Sequence, residues 1–165
     1  MPPPISSFLL TCLQDAEQIA AQHRRCRTGT IQLVDSLERG SLRELRAALP
    51  GIRLVQVIHV TGPESVEQAE AVAPEVDALL LDSGNPGLAV KELGGTGRVH
   101  DWSVSRRIRE RVEVPVFLAG GLRPENVAEA VAAVGPFAVD VCSGVRTDGR
   151  LDADRLERFL RAVAD

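Results

Sequence analysis

The sequence predicts an α/β protein built around a parallel sheet. Short apolar segments typical of buried strands alternate with amphipathic helical segments along the whole chain. One helix between each pair of strands implies parallel strands joined by right-handed crossovers. The chain has 165 residues, 44% hydrophobic and 25% charged, and no shift in composition marks a linker. Residues 1–165 are therefore expected to form a single domain.

Three strand–helix units are predicted in the first half of the chain. The expected strands cover residues 8–11, 30–34 and 54–60. The first helix is expected from Asp15 to about residue 25, and the second from 41 to 49, where Pro50 and Gly51 stop it. The third helix is expected over residues 63–73.

Three further units follow in the second half. The fourth strand, residues 78–82, is apolar until it ends in Asp82, and its helix, 102–112, is capped by Asp101. The fifth strand, 114–119, stops at Gly120 and Gly121. Pro124 suits the first turn of the next helix, and a sixth strand is expected over 137–142. A final helix from about Asp152 is expected to pack Leu156, Phe159 and Leu160. A doubly wound sheet and a (β/α) barrel both fit this alternation.

Composition excludes several classes of partner. The net charge of −4 and the pI near 5.4 argue against a nucleic-acid or anionic-membrane surface. No apolar run reaches the roughly 20 residues that span a bilayer. The first residues, Met-Pro-Pro-Pro, have neither the basic region nor the apolar core of a signal peptide. The expected location is the cytoplasm, and no membrane partner is expected.

No cofactor or metal motif is found in the sequence. The three cysteines, Cys12, Cys26 and Cys142, form no CxxC pair, and no histidine cluster has metal-ligand spacing. They are expected to be free thiols. A dinucleotide-binding GxGxxG motif and a Walker loop are also missing.

Asp82 and the loop after it are the strongest local signal of a functional site. A carboxylate at the carboxyl end of a buried parallel strand, followed by a glycine-rich loop, is a common active-site arrangement in α/β proteins. The alternative interpretation is that Asp82 caps the loop and that the glycines serve tight turns. Similar glycine turns at successive strand ends, at residues 120–121 and 143–144, weaken this alternative.

Four ordered motifs resemble one enzyme family. These are LLLDS (79–83), GGTGRVHDW (94–102), PVFLAGGLRPENVAEAV (115–131) and VDVCSGVRTDGRLD (139–152). Together they resemble the second half of phosphoribosylanthranilate isomerase, a (β/α)8-barrel enzyme of tryptophan biosynthesis. A weaker similarity extends back through IQLVD (31–35) and FLLT (8–11). The resemblance implies a TIM-barrel-like fold, incomplete at about six βα units where the barrel has eight.

The resemblance also implies an activity and a set of site residues. The reaction is the Amadori rearrangement of N-(5-phosphoribosyl)anthranilate, an aldose–ketose isomerisation that needs no cofactor or metal. Asp82 stands where the family has its general acid. The substrate phosphate would be bound by backbone N–H groups in three glycine turns. The implied phosphate-binding residues are Gly95, Thr96, Gly97, Gly120, Gly121, Ser143 and Gly144.

The sequence departs from the family in several places. The family's first strand carries KxCG, whose cysteine is the general base, and its next unit supplies an arginine for the anthranilate carboxylate. Neither feature is found here. The chain is therefore interpreted as the barrel without its first two βα units. The family's QLHG is replaced by Gln32-Leu33-Val34-Asp35, and Arg146 replaces a glutamate. Removing a general base typically costs about 10²–10⁴-fold in rate.

A substitute base has few candidates. Cys12 and Cys142 lie near strand ends, but buried core thiols are the favoured interpretation. For His59, packing or capping is favoured over catalysis, and His23 is expected to be solvated on its helix. Lys91, Arg98 and Arg123 either lie near the phosphate or are simply solvated.

Three functions therefore remain open. The favoured one is a phosphoribosylanthranilate isomerase. The second is a non-catalytic sugar-phosphate-binding or interaction protein, which would close its open edges, at residues 8–11 and 137–142, by forming a homo-oligomer. The third is an isomerase or aldolase for another sugar phosphate.

Overall fold

A computed structural model describes residues 5–84 and 100–164 of the chain. Within these ranges, a six-stranded parallel sheet alternates with six α-helices. The strands of the sheet are β1 (Phe8–Thr11), β2 (Thr30–Leu33), β3 (Arg53–His59), β4 (Ala78–Asp82), β5 (Val116–Leu118) and β6 (Ala138–Val139). The helices are α1 (Ala16–Cys26), α2 (Leu42–Ala48), α3 (Ser65–Val72), α4 (Trp102–Arg111), α5 (Val127–Val134) and α6 (Ala153–Ala164). Short 3₁₀ turns cover Ala73–Glu75 and Ser143–Val145, and a small antiparallel hairpin joins β7 (Arg146–Thr147) to β8 (Arg150–Leu151).

Three helices begin at side-chain caps, and one of these caps, Asp101, is predicted from the sequence. Asp15 accepts hydrogen bonds from the backbone N–H groups of the first turn of α1. Ser41 does the same for α2, and Asp101 does so for α4. Each cap satisfies N–H groups that lack a partner within the helix, and a cap of this kind is typically worth about 1 kcal/mol.

The strand order decides between the two candidate architectures. The sheet runs β1-β2-β3-β4-β5-β6 without reversal, and every neighbouring pair is parallel. A doubly wound sheet would reverse its order at a switch point. The observed order is that of consecutive barrel strands, and helices adjacent in sequence pack on one another outside it: α1 on α2, α3 on α4, α4 on α5 and α5 on α6. The sheet is not closed, because β1 and β6 are its two edges.

The core divides according to the two faces of the sheet. In β4, Leu79 and Leu81 belong to the large cluster under the helices, whereas Ala78 and Leu80 belong to a smaller cluster on the opposite, inner face. This alternation follows from the two-residue period of a strand. The inner cluster consists of Val55, Val57, Ala78, Leu80 and Ala119, with Phe117 packed against it. Asp82, two residues beyond Leu80, therefore lies on the inner face.

The end of the chain differs from the sequence-based prediction. The sixth strand was expected to reach residue 142 but ends at Val139, and β7 and β8 were not predicted. Pro124 lies in a turn ahead of α5, whose N-cap is Asn126. In α6, Phe159 is buried as expected, but Leu160 is 58% exposed. Both Phe159 and Leu160 were expected in the core, but the open sheet covers fewer apolar positions of this helix than a closed one would.

The two edge strands carry exposed apolar side chains. Leu10 on β1 is 59% exposed, and Phe137, immediately before β6, is 74% exposed. Both lie where a closed barrel would have a neighbouring strand. Separately, none of the helices in the described ranges has the length and apolar character needed to cross a membrane.

Candidate active site

The candidate site lies where the parallel strands end, on the inner face of the sheet. Asp82 is the last residue of β4 and is partly buried. Its Oδ1 accepts a hydrogen bond from the backbone N–H of Ser83 at 2.7 Å. The local turn therefore holds the carboxylate at the strand end.

Strand register places Asp82 in a row of side chains, here called the mouth row: His59, Asp82, Ala119 and Asp140. His59 on β3 is the register partner of Asp82. The pairs Leu81–Leu118 and Leu118–Val139 make the next residues, Asp82, Ala119 and Asp140, neighbours across three strands. The ladder continues past the paired strands, because Ala119 N–H donates to Leu81 O and Asp140 N–H donates to Leu118 O, both at 2.8 Å.

Asp140 is the second carboxylate of the mouth row. Its register puts it on the same face as Ala119, which belongs to the inner cluster. The side chain reaches solvent, yet the protein around the carboxyl group withdraws enough water to raise the pKa of Asp140, and the charge of Asp82 raises it further. Asp82 and Asp140 are therefore electrostatically coupled across Ala119.

His100 adds a histidine beside Asp82. Burial lowers the pKa of His100 below its usual value of 6.5, although the charges of Asp82 and Asp101 act in the opposite direction. Its Nε2 hydrogen-bonds to the hydroxyl of Ser105, which is fully buried, at 2.7 Å. His100 is thus held as a neutral imidazole close to the acidic side chains.

His59 has a packing role in this structure. It is 8% exposed, and its Nε2 donates to the carbonyl oxygen of Val34 at 2.9 Å. A carbonyl oxygen can only accept, so that bond requires a hydrogen on Nε2, and the Nδ1 atom is buried. His23, by contrast, is not solvated as expected: it is 6% exposed and its Nε2 bonds to the Thr28 carbonyl at 2.7 Å.

The cysteines are free, as predicted, but they are not core residues. Cys12 and Cys142 are both exposed, so the expectation of buried thiols is wrong. Cys12 follows β1 and Cys142 follows β6. Both edge strands lack an outer neighbour, and side chains there stay open to solvent.

The glycine turn after β5 is held in place by one side chain. Gly120 and Gly121 have φ values of +84° and +65°, a region that favours glycine. Asn126, 8% exposed, accepts a hydrogen bond from Arg123 N–H at 2.8 Å and donates to Gly121 O at 3.1 Å. A Cβ at Gly120 would lie 2.9 Å from the Ser83 nitrogen, so this turn touches the end of β4.

The turn after β6 packs directly on the turn after β5. A Cβ at Gly144 would lie 1.9 Å from the Leu122 carbonyl oxygen and 3.1 Å from the Arg123 Cα. Ser143 and Gly144 belong to the 3₁₀ turn, whose Val145 is buried. Two of the three predicted phosphate turns are thus brought together. The third, Gly95, Thr96 and Gly97, lies outside the described residues, as do Lys91 and Arg98.

Two arginines near these turns have other partners. The Arg146 guanidinium donates to the Gly149 carbonyl across the β7–β8 hairpin at 3.0 Å. The Arg123 side chain is exposed and lies 3.8 Å from the Glu125 carboxylate. Within residues 5–84 and 100–164, no group of three or more His, Cys, Asp or Glu side chains is arranged to hold a metal ion.

Asp140 and His100 were not assigned a role from the sequence. Asp140 fell inside the predicted strand 137–142, which hid its similarity to Asp82 as a carboxylate at a strand end. His100 lies in the GGTGRVHDW motif, but only its neighbour Asp101 was interpreted, as a helix cap. Asp101 has that role: its Oδ1 accepts from Ser103 N–H at 2.9 Å.

Fold and site together define the class of protein: an open TIM-barrel-like α/β protein with carboxylates and glycine turns at the strand ends, where barrel enzymes carry their active sites. A sequence profile of the family described as N-(5'-phosphoribosyl)anthranilate (PRA) isomerase matches residues 12–162. The chain belongs to the phosphoribosylanthranilate isomerase family.

Individual relatives agree with this assignment. The chain is 41% identical over 160 residues to N-(5'-phosphoribosyl)anthranilate isomerase 2 of Methanosarcina mazei, covering 96% of this chain and 70% of that one. The crystal structure of the Thermotoga maritima phosphoribosyl anthranilate isomerase is 30% identical, with a TM-score of 0.77, and the match covers 99% of this chain and 75% of that one. A phosphoribosyl anthranilate isomerase in complex with reduced 1-(o-carboxyphenylamino)-1-deoxyribulose 5-phosphate is 27% identical, with a TM-score of 0.74, covering 99% and 74%.

Proposed function

We propose that this chain catalyses the Amadori rearrangement of N-(5-phosphoribosyl)anthranilate to the carboxyphenylamino-deoxyribulose phosphate in tryptophan biosynthesis. The observation that carries the proposal is the family profile, which matches residues 12–162 and so includes the strand ends and both described glycine turns. A related structure holds a reduced analogue of that product.

The proposed role of Asp82 is general acid. It would protonate the ring oxygen of the furanose while the C1–O bond breaks and the anthranilate nitrogen forms a Schiff base with C1. Its position at the carboxyl end of β4, on the inner face, supports this role. Loss of the C2 proton then gives an enolamine, which becomes the ketose. C1 is reduced and C2 is oxidised by proton transfers within one molecule, so the proposed chemistry requires no redox cofactor.

The proposed role of the glycine turns is to bind the substrate phosphate. Gly120, Gly121, Ser143 and Gly144 present backbone N–H groups next to the mouth row, and Gly95, Thr96 and Gly97 are included by the family resemblance. Backbone N–H groups at glycine turns stabilise a phosphate without a lysine. The support from geometry is the close packing of Gly144 on Leu122, which joins two of the turns.

Turnover of freshly generated N-(5-phosphoribosyl)anthranilate, followed by the loss of its fluorescence, tests the proposal. The unchanged chain should turn over, and Asp82→Asn should lose activity by about 10²–10⁴-fold, as expected for a general acid. Asp148→Asn is the matched control. Asp148 is an exposed carboxylate in the β7–β8 turn, and its positive φ of 50° is one that asparagine tolerates. No turnover in the unchanged chain would overturn the proposal.

The alternative is a sugar-phosphate-binding protein without turnover. One observation favours it: the sheet is open along β1 and β6. In that case the same assay would show no turnover, while calorimetry would still detect binding of ribose 5-phosphate, and binding would survive Asp82→Asn but weaken in variants of the glycine turns.

Assembly and location complete the proposal. We propose that residues 1–165 act as one domain and that the chain associates with itself through its open edges, which Leu10 and Phe137 make apolar. A cytoplasmic location is proposed from the biosynthetic role of the family. Light scattering and cell fractionation test these two points.

A further inference from the structure

The phosphate of the proposed substrate would bind near side chains of the same charge. The mouth row contains two carboxylates, Asp82 and Asp140, and Asp140 is three residues before Ser143 in the turn after β6. The backbone N–H groups of the glycine turns carry no formal charge, and the whole chain has a net charge of −4. A phosphate and nearby carboxylates repel one another. A phosphate therefore needs positive side chains near the glycine turns.

Two arginines flank the contact between the turns after β5 and β6. A Cβ at Gly144 would lie 3.1 Å from the Arg123 Cα, so Arg123 is a direct neighbour of Gly144. Arg146 follows Gly144 by two residues, a distance of at most about 7 Å along an extended chain. Both arginine side chains are exposed. An arginine side chain is long enough to span either distance, so both guanidinium groups are within reach of an anion held at Gly144.

The two guanidinium groups have weak partners. The Arg123 Nε lies 3.8 Å from the Glu125 carboxylate, and that carboxylate also lies 3.5 Å from Arg158, so one negative charge faces two positive charges. The Arg146 Nη1 donates to the Gly149 carbonyl at 3.0 Å, and the ion pairs found in the described part of the chain do not include Arg146. Exposed ion pairs of this kind contribute little to stability. Both guanidinium groups can therefore exchange these partners for a phosphate at low cost.

Helix stability does not account for either arginine. Arg123 N–H donates to Asn126 Oδ1 at the start of α5. Arg146 O accepts from Arg155 Nη1 at the start of α6. The N-terminus of a helix carries a partial positive charge, so a further positive charge is unfavourable there. Anion binding explains why positive side chains are found at this end of the two helices.

We infer that Arg123 and Arg146 form an arginine clamp, with one guanidinium group from each of the two joined turns, that binds the substrate phosphate together with the backbone N–H groups. This inference rests on the phosphate-binding part of the proposed function and names the side chains that supply its charge. Guanidinium groups bind phosphate through charge-assisted and often bidentate hydrogen bonds.

The arginine clamp also orients the substrate. Asp82 lies at the end of β4, whereas Arg123 follows β5 and Arg146 follows β6. A phosphate bound by the two arginines lies on the β5–β6 side of the mouth row, away from the Asp82 carboxylate. The ribose ring then extends towards β4, where Asp82 would protonate the ring oxygen. Loss of the clamp should therefore affect substrate binding more than the chemical step.

Calorimetry with ribose 5-phosphate and the full chain tests the arginine clamp. Arg123→Gln and Arg146→Gln should each raise the dissociation constant by about 3–30-fold, because each removes a charge-assisted hydrogen bond. Arg146→Glu should raise it further, and Arg146→Lys, which keeps the charge, should bind more tightly than Arg146→Gln. Arg150→Gln is the matched control, and it should bind as the unchanged chain does. Arg150 is exposed and pairs with Thr147, so its side chain lies on the opposite face of the β7–β8 hairpin from Arg146.

Two further measurements separate an effect of charge from an effect on structure. Added salt should weaken ribose 5-phosphate binding more in the unchanged chain than in the double variant Arg123→Gln, Arg146→Gln, because salt screens charges. With N-(5-phosphoribosyl)anthranilate, KM should rise in each glutamine variant while kcat changes little, since the phosphate is bound equally in the ground state and the transition state. Circular dichroism checks that each variant is folded. Where a glutamine variant does not fold, the salt dependence of the unchanged chain decides, and an affinity that does not fall with salt overturns the inference.

The outcomes separate this inference from the proposed function. If the unchanged chain turns over but Arg123→Gln and Arg146→Gln bind ribose 5-phosphate as Arg150→Gln does, only the inference is overturned. The same holds if Arg146→Glu binds no more weakly than Arg146→Gln. If the unchanged chain does not turn over but its affinity for ribose 5-phosphate depends on both arginines as expected, the isomerase activity is overturned and the clamp is supported. If the unchanged chain does not bind ribose 5-phosphate, the clamp is overturned whatever the turnover.

Discussion

Gly144 packs so closely on Leu122 that any side chain at position 144 would strike backbone. A Cβ there would lie 1.9 Å from the Leu122 carbonyl oxygen and 2.9 Å from its carbonyl carbon. Backbone atoms cannot rotate away as a side chain can, so the glycine is required by the contact between the turn after β6 and the turn after β5.

Gly144→Ala should therefore destabilise the protein and weaken phosphate binding. Overpacking typically costs about 1–3 kcal/mol, and separating the two turns should raise the dissociation constant for ribose 5-phosphate. Urea unfolding and calorimetry measure the two effects. Gly29→Ala is the control, because no heavy atom lies within 4 Å of a Cβ at Gly29. Equal stability and affinity in the two variants would show that the close contact is unimportant.

Asn126→Ala should loosen the turn at Gly120 and Gly121. Asn126 is nearly buried, and it bonds to both Arg123 N–H and Gly121 O. Leaving a buried backbone group unpaired typically costs about 1–3 kcal/mol. The expected result is lower stability and a higher KM, with a smaller change in kcat. Asn126→Asp keeps the acceptor for Arg123 N–H, so its stability should lie between those of the unchanged chain and Asn126→Ala. An equal loss of stability in both variants would argue that only the bond donated to Gly121 O matters.

The pKa of His100 should fall in Asp82→Asn. The Asp82 charge raises this pKa against the larger effect of burial, so removing the charge leaves burial less opposed. Imidazole proton NMR across a pH titration measures the shift, and Asp148→Asn should leave the pKa unchanged. An unchanged pKa in the Asp82 variant would mean that the two groups are not close in solution.

The same histidine predicts how stability depends on pH. The folded pKa of His100 lies below the unfolded value near 6.5, so between the two values the unfolded chain binds more protons. The free energy of unfolding should therefore fall as the pH falls from about 6.5, and the fall should extend to lower pH in Asp82→Asn. Urea unfolding from pH 7 to 5, repeated with His100→Phe, isolates this contribution, which should vanish in the phenylalanine variant.

Leu10→Lys and Phe137→Lys should reduce self-association. Both positions lie at open sheet edges with apolar side chains exposed, and lysine on an edge strand discourages pairing with another chain. Light scattering over a range of protein concentrations should show a shift toward monomer. Leu160→Lys is the control, because Leu160 is 58% exposed but lies on helix α6 and not on an edge strand. If the chain without substitutions is already monomeric, the prediction is contradicted.

Most secondary structure was predictable because its signals are local. The apolar run that ends in Asp82 lies on one strand, and Asp101 caps α4 as expected. Helices α1 and α2 begin directly after Asp15 and Ser41, near the expected starts. The weakest prediction was the end of the chain. The segment 137–142 is apolar enough for a strand, but β6 is an edge strand and pairs only on one side, so it ends at Val139.

Burial at the edges could not be predicted from residue type. Cys12 and Cys142 have the composition of core residues, yet both are exposed because the sheet offers no neighbour beyond β1 and β6. The prediction for His23 was wrong in the opposite direction. His23 is a polar residue on a helix, yet it is buried and hydrogen-bonded to Thr28 O.

By itself, the sequence determined the alternation of strands and helices, the Asp101 helix cap, the family and the candidate acid Asp82, because these depend on periodicity and on short motifs along the chain. The order of the strands and the meeting of Gly144 with Leu122 were decided only by the tertiary structure. The same is true of the row that sets Asp140 across Ala119 from Asp82. These relationships depend on the register between strands that are far apart in sequence, and no local pattern specifies that register.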